Sequence, residues 1–282
     1  MKRIHLNLKR FDIPVEFGGV NRISSIRSWG SHIVERTQRE LGKYEKHDVE
    51  FVMYMPESHL IPALESVTDC SNLAIGCQGV FREDVSIGGN FGAFTTNRTA
   101  KAMKALGCTA TIIGHCEERK DKMQIMAAGG IASAKVAVNR ILNQEIRAAV
   151  SAGLQVLYCI GENTDEQEKW EEVLGEQLSV GLEGIDTSAV TIAYEPIWSI
   201  GPGKTPAGKE YIQKIARFVK EKYPHLDIIY GGGLKKDNAK MLASIPEISG
   251  GLIALTRFTG EIGYYPDEYL EIVHEYLDVD SE

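Results

Sequence analysis

The residues from Tyr194 to Lys204, YEPIWSIGPGK, carry the densest chemical signal in the chain. A short apolar run, Val190 to Ala193, delivers a carboxylate, Glu195, followed by a proline, a tryptophan and a glycine-rich loop that ends in Lys204. A strand that presents a glutamate at its C-terminal end, ahead of a loop with backbone freedom to close, suits a general base under a lid. The same pattern also fits an ordinary strand-loop-helix connection with its glutamate in a surface ion pair. His115, in IIGHCEER, follows another apolar run and stands just before an expected helix start, where the helix dipole disfavours its charged form. It reads either as an acid or electrophile or as a hydrogen-bonded core histidine. Lys9, in HLNLKRF, supplies a cation for developing negative charge or belongs to a solvated basic patch with Lys2, Arg3 and Arg10.

Positioning these groups together requires several strands to end at one place. Short apolar or β-rich runs recur near Arg3–Leu8, Val49–Met55, Leu73–Gln78, Ala110–Gly114, Gln155–Ile160, Val190–Glu195, Asp227–Gly231 and Gly251–Thr256. Amphipathic patterns lie between them at Arg98–Leu106, Gln144–Ala152, Asp165–Leu182, Pro206–Lys222 and Asp237–Ser244, with a last helix over Tyr265–Leu277. This alternation predicts an α/β fold, a parallel (β/α)8 barrel, in one domain over residues 1–282 with no linker. Residues 10–30, 79–91 and 119–144 are expected as long loops, after strands one, three and four. In such a barrel the site forms where the strands' C-terminal ends meet. Lys9, His115 and Glu195 then converge on one rim from three strands.

Composition narrows the class of function. The chain has 282 residues with 43% hydrophobic and 25% charged, the balance of a soluble globule with ample material for a core. A formal net charge of −8 argues against a general nucleic-acid or anionic-membrane binder, while leaving room for a small anionic substrate. No apolar run approaches a membrane span, and MKRIHLNLKRF lacks the apolar segment of a secretory signal, so the cytoplasm is the expected compartment. The five cysteines form no C-x-x-C pair, and neither a zinc motif nor a nucleotide-binding glycine fingerprint occurs. Cys159 reads as packing. No metal or organic cofactor is expected.

Together these residues resemble the triosephosphate isomerase family. TIIGHCEER (Thr111 to Arg119) is similar to that family's histidine segment, and AYEPIWSIGPGKTP (Ala193 to Pro206) to its glutamate-and-lid segment. NLK (Asn7 to Lys9), GAFT (Gly92 to Thr95), CIGE (Cys159 to Glu162) and YGG (Tyr230 to Gly232) match in order. The resemblance implies a TIM barrel and an aldose-ketose isomerase of carbohydrate metabolism, in glycolysis and gluconeogenesis. It interconverts glyceraldehyde 3-phosphate and dihydroxyacetone phosphate through an enediolate. In the implied roles, Glu195 takes a proton from carbon, His115 moves protons between the substrate oxygens, and Lys9 stabilises negative charge. Asn7 hydrogen-bonds at the same site, and Glu117 supports the lysine. Tyr230, Trp198 and Glu162 are read as supports of the lid and site. Backbone amides at Gly201, Gly232 and Gly233 hold the phosphate. The resemblance further implies a homodimer, with Thr95 reaching the neighbouring subunit's site.

The pattern departs from the family at the phosphate grip and at the subunit contacts. Gly233 stands where the family has serine, and Leu255-Thr256 where it has a glycine pair. Leucine and threonine restrict the close backbone approach that glycine permits. Arg257 is expected either to replace that grip with a forked donor or to pair with Glu261. The loop carrying GAFT is lengthened by FREDVSIGGN, so the interface loops are expected to be rebuilt. These departures leave two alternatives to triose phosphate isomerisation. One is a related isomerase of another short sugar phosphate, such as a tetrulose phosphate. The other is a non-catalytic paralogue that binds a sugar phosphate.

Overall fold

The computed structural model describes residues 1–69, 71–131, 134–200 and 204–278. Its eight strands are β1 (Lys2–Asn7), β2 (Val49–Met55), β3 (Leu73–Cys77), β4 (Ala110–Ile113), β5 (Gln155–Ile160), β6 (Val190–Tyr194), β7 (Asp227–Tyr230) and β8 (Gly250–Ile253). They close into a parallel barrel in sequence order, with β1 pairing both β2 and β8. The helices are α1 (Trp29–Leu41), α2 (Glu57–Ser66), α3 (Ala100–Leu106), α4 (Cys116–Ala128), α5 (Ala134–Ser151), α6 (Trp170–Gly181), α7 (Lys209–Lys222), α8 (Ala239–Ala243) and α9 (Pro266–Leu277). None of the described helices is long and apolar enough to cross a membrane.

Strand periodicity decides which residues see the barrel axis. Val52, Tyr54, Ala110, Ile112, Leu157, Cys159, Ala193, Ile229 and Leu252 form an inner cluster, with Cys159 fully buried as packing. The other parity, including Ile4, Leu6, Phe51, Met53, Ile192 and Tyr194, packs outward against the helices. On β1 the inward parity is polar, and each group finds a partner. Arg3 binds Asp227 at 2.8 Å and also pairs with Glu50, while His5 Nδ1 lies 2.9 Å from the Tyr54 hydroxyl. Asn7 and Lys9 continue that parity to the rim, as Glu195 continues Thr191 and Ala193.

Two of the expected long loops are irregular, and the third is not. Residues 119–144 fall mostly within α4 and α5, so loop four is short. Helix α4 gave no periodic signal because its apolar residues do not share a buried face, and Arg119 is its one buried residue. The segment from Leu8 to Ser28 contains a 3-10 turn at Val15–Phe17 and an isolated bridge between Pro14 and Asn21. Its anchor is Asp12, which is fully buried, held by Arg10 at 2.9 Å and contacted by His59 Nε2 at 3.1 Å. Arg22 then donates to the Ile262 carbonyl at 3.0 Å, tying this insertion to the hairpin after β8. The segment between β3 and α3 is closed at its base by an edge-to-face contact of Phe81 and Phe94, with ring centres 5.6 Å apart. Its tip exposes Ile87 and Phe91.

Candidate active site

Glu195 extends β6 by one residue, its N–H donating to the Ile160 carbonyl at 2.8 Å. A carboxylate needs space to stand there, and Gly231 provides it. A Cβ on Gly231 would lie 2.7 Å from Glu195 Cγ. The glutamate is 2% exposed. Its Oε2 accepts the Cys116 backbone N–H at 2.9 Å, at the start of α4. Its Oε1 stands 3.1 Å from His115 Nε2, a close approach that is not an aligned hydrogen bond, and has no other partner. Burial pushes the Glu195 carboxyl above the usual carboxylate range, against the opposing influence of His115, the Cys116 amide, Lys9 and Arg119. A buried carboxylate with one oxygen unsatisfied is disposed to take a proton.

His115 arrives through a turn. Strand β4 is fully buried and ends at Gly114, whose φ of +79° is a left-handed conformation that glycine adopts without strain. His115 then caps α4, its Nδ1 accepting the Glu117 N–H at 3.2 Å. An acceptor Nδ1 leaves the ring's proton on Nε2, the nitrogen nearest Glu195. Ligand atoms of His115, Cys116 and Glu195 lie within 4.8 Å of one another, a spacing compatible with a metal ion. The tautomer works against that use, since the nitrogen nearest the carboxylate already holds a proton.

Lys9 sits on the far side of this pair at φ +42°, a conformation rare for a side-chain-bearing residue. Its N–H donates to Asn7 Oδ1 at 3.1 Å, and its carbonyl accepts Gln78 Nε2 at 3.1 Å. Its ammonium binds Glu117 Oε1 at 2.6 Å. Burial would raise the Glu117 carboxyl, but Lys9 and the nearby His115 hold it below the usual carboxylate range. Asn7, Lys9, His115 and Glu117 line one cavity of about 400 Å³, together with Arg10, Phe11, Gln78, Ile112 and Glu118.

Other sequence candidates lie elsewhere. Thr95 is exposed on the loop after β3, away from this chain's own cavity. Gly232 and Gly233 follow β7, and the Gly233 carbonyl accepts Asn238 Nδ2 at 2.9 Å. Gly201 lies outside the described residues. Arg257 is bound to Glu268 of α9 through Nε at 2.8 Å and stacks over the Tyr265 ring at 4.0 Å. Its expected alternative partner, Glu261, faces Arg22 instead, at 3.9 Å. Trp198 Nε1, the Tyr194 hydroxyl and the Tyr211 hydroxyl all donate to Glu162 Oε1, at 2.8, 2.8 and 3.1 Å. This anchors the start of the lid segment to β5.

Two functional contributors were not singled out in the sequence. Gln78 reaches Asn7 Oδ1, the Lys9 carbonyl and the Tyr54 carbonyl, joining the first three strands at the rim. Its signal was a lone amide ending an apolar strand. Arg119 is buried and donates to the Gly114 carbonyl, Asn139 and the Tyr158 hydroxyl. Only contacts from three separate elements reveal it.

The fold and the rim define a (β/α)8-barrel isomerase layout, with a buried carboxylate facing a proton-bearing imidazole and a lysine alongside. Comparison with known proteins agrees. A family model described as Triosephosphate isomerase matches residues 27–262. The triosephosphate isomerase of Geobacter metallireducens is 33% identical over 219 residues, covering 73% of this chain and 79% of that one. That of Alkalilimnicola ehrlichii is 29% identical over 254 residues, covering 86% and 91%. The crystal structure of triosephosphate isomerase from Bartonella henselae shares the fold with a TM-score of 0.71, at 22% identity and 98% coverage of both chains. The chain belongs to the triosephosphate isomerase family.

Proposed function

We propose that the protein is an aldose-ketose isomerase of the triosephosphate isomerase type, acting as a single-domain barrel on glyceraldehyde 3-phosphate and dihydroxyacetone phosphate. The observation that carries this reading is the pairing of Glu195 Oε1 with His115 Nε2 at 3.1 Å on the barrel rim. In the ground state these groups face each other. A substrate entering between them presents its C–H to Glu195 and its oxygens to the Nε2 proton. Glu195 removes the proton next to the carbonyl, and burial makes it a stronger base than an exposed carboxylate. The enediolate that forms carries charge on its oxygens, where His115 donates and Lys9 provides a cation 2.6 Å from Glu117. Asn7 holds the Lys9 backbone in its strained conformation. Return of the proton to the neighbouring carbon completes the exchange, with no change in redox state overall.

The phosphate end of the substrate is assigned to the loops after β6 and β7, with backbone amides at Gly201, Gly232 and Gly233 as donors. On the β8 side Thr256 Oγ1 donates to Glu268 and accepts the Tyr265 N–H, both at 2.9 Å, so that wall is closed by the chain's own bonds. The altered loop after β8 and the long insertions favour a tetrulose phosphate as the second reading. A homodimer in the cytoplasm accords with the family and with the exposed Ile87 and Phe91 at the tip of the loop carrying Thr95.

The deciding experiment incubates the protein in heavy water with glyceraldehyde phosphate and, separately, with erythrulose phosphate. Deuterium is expected next to the carbonyl by NMR, and Glu195→Gln is expected to abolish it. Exchange no faster than in Glu195→Gln with both substrates would end the isomerase reading for them.

A further inference from the structure

Behind the His115 turn, three ionisable side chains from two helices meet, two of them half-buried and the third, Glu145, buried. Glu118 Oε2 accepts the Gly114 N–H at 2.6 Å, while Arg119 Nε donates to the Gly114 carbonyl at 2.8 Å. The two peptide groups flanking the Gly114 Cα are therefore gripped by consecutive side chains of α4. The other oxygen of Glu118 accepts Lys122 Nζ at 2.8 Å, and the same ammonium reaches Glu145 Oε1 on α5 at 2.9 Å. Glu145 is 5% exposed, and its second oxygen is buried without a partner. Ordinary helix-surface pairing explains the Glu118–Lys122 spacing of four residues but neither the buried Glu145 nor the contact to Gly114.

We propose that Glu118, braced by Lys122 and Glu145, is a positioning residue for His115, fixing the peptide that places the imidazole beside Glu195. The inference rests on the reading of His115 as the proton donor of the reaction. Geometry favours positioning over direct contact. Although Glu118 borders the cavity, its two oxygens are already engaged by Gly114 and Lys122. A shift of about 1 Å at a group that must meet a reacting atom costs on the order of 100-fold in rate.

The brace also carries its own pH signature. Burial, and then the Glu118 charge, push the Glu145 carboxyl up to about 8, with Lys122 opposing. For Glu118, burial pulls upward, but Lys122 and the Gly114 amide hold it below the usual carboxylate range. From β5, Tyr158 and Cys159 also face Glu118, and burial raises both of them. Arg119 lies against Tyr158. At neutral pH Glu145 thus holds its proton while Glu118 stays charged, and both contact one ammonium. Above about 8 Glu145 ionises, repels Glu118 and competes for Lys122. Turnover is then expected to fall as the Gly114 turn loosens.

The test compares Glu118→Ala, Glu118→Gln and Glu145→Gln in the full chain. It reads kcat and KM against pH and, without substrate, the ¹⁵N shifts of His115, assigned with His115→Asn. Glu118→Ala is expected to lower kcat at least about ten-fold with KM changed less than about two-fold, and to lose the Nε2–H tautomer signature. Glu118→Gln, whose amide oxygen still accepts the Gly114 N–H, is expected to recover most of both. Glu145→Gln is expected to remove the fall in kcat above pH 8. A folded Glu118→Ala with wild-type kcat and wild-type His115 shifts overturns the proposal. So does Glu145→Gln with the alkaline fall intact, a measurement that stands even if Glu118→Ala fails to fold. Should the wild type turn over neither sugar phosphate, the functional reading fails by itself, and the ¹⁵N shifts still decide whether Glu118 sets the ring.

Discussion

Over β4 and β6 the rim is assembled from contacts between elements distant in sequence. Over β7 and β8 it is tied by contacts within its own neighbourhood. Glu195 takes its hydrogen bond from Cys116, 79 residues away, and Lys9 binds Glu117, 108 residues away. By contrast Thr256 and Arg257 are secured by Glu268, 12 and 11 residues on. The first half holds groups out of their preferred states: a carboxylate without water and a lysine at positive φ. In the second half Thr256 and Arg257 are paired by a near neighbour in sequence. The buried base is held by distant elements and the hairpin after β8 is tied separately, so substitutions in that hairpin are expected to leave Glu195 and His115 in place.

Removing the buried charge attacks the first half most directly. Glu195→Gln is expected to lower kcat by roughly 10²–10⁴-fold, the usual worth of a positioned base. The same variant should be the more stable protein at neutral pH. Because burial raises the Glu195 carboxyl, the folded state binds a proton the unfolded chain releases, and stability falls as pH rises from the ordinary carboxylate range through the raised value. The gain is read as a higher Tm for Glu195→Gln than for the wild type at neutral pH. It should vanish below the ordinary carboxylate pKa, and thermal melts between pH 4 and 8 check both signs. In activity, the acid limb of kcat/KM should lie above the ordinary carboxylate value.

A second substitution asks whether the two halves are independent. Gly231 ends β7 yet faces the base, and an added Cβ would lie 2.7 Å from Glu195 Cγ and 2.9 Å from the Tyr194 carbonyl. Gly231→Ala should displace the base and reduce kcat by about 100-fold. Overpacking should cost it about 1–3 kcal/mol in denaturant melts. Near-normal kcat would show that the base tolerates movement. The smallest effect is expected at Arg257→Ala. Its guanidinium is 38% exposed and already committed to Glu268, so KM for the phosphorylated substrate should change by less than about three-fold. A much larger rise would mean that Arg257 leaves Glu268 for the phosphate, and the second half would then share in binding.

The strands were legible because apolar runs ending in chemistry-bearing residues are a local signal. Each of the eight expected runs overlaps an observed strand. Helices were less so where a stripe was missing or interrupted. Helix α4 ends in Gly129-Gly130 and buries only Arg119, while α2 contains Pro62. Glu195 and His115 could be read from their own segments. Gln78 and Glu118 could not, because each acts on a backbone group whose position is set by other elements. Lys9 lies between these cases. The family match begins at residue 27, after the insertion that follows β1, so it is the pairing of β1 with β2 and β8 that seats the lysine on the rim.

That seat has a consequence for how the protein comes into being. The strand leading to Lys9 is synthesised well before one of its two hydrogen-bonding neighbours, β8, which ends at Ile253. Until then the nascent sheet keeps two bare edges, each able to recruit a stray strand. Such closure between strands so far apart in sequence is among the slowest contacts to form. The active site is therefore one of the last things this polypeptide acquires, and a chain stopped short of β8 would be an aggregation hazard rather than a weakened catalyst.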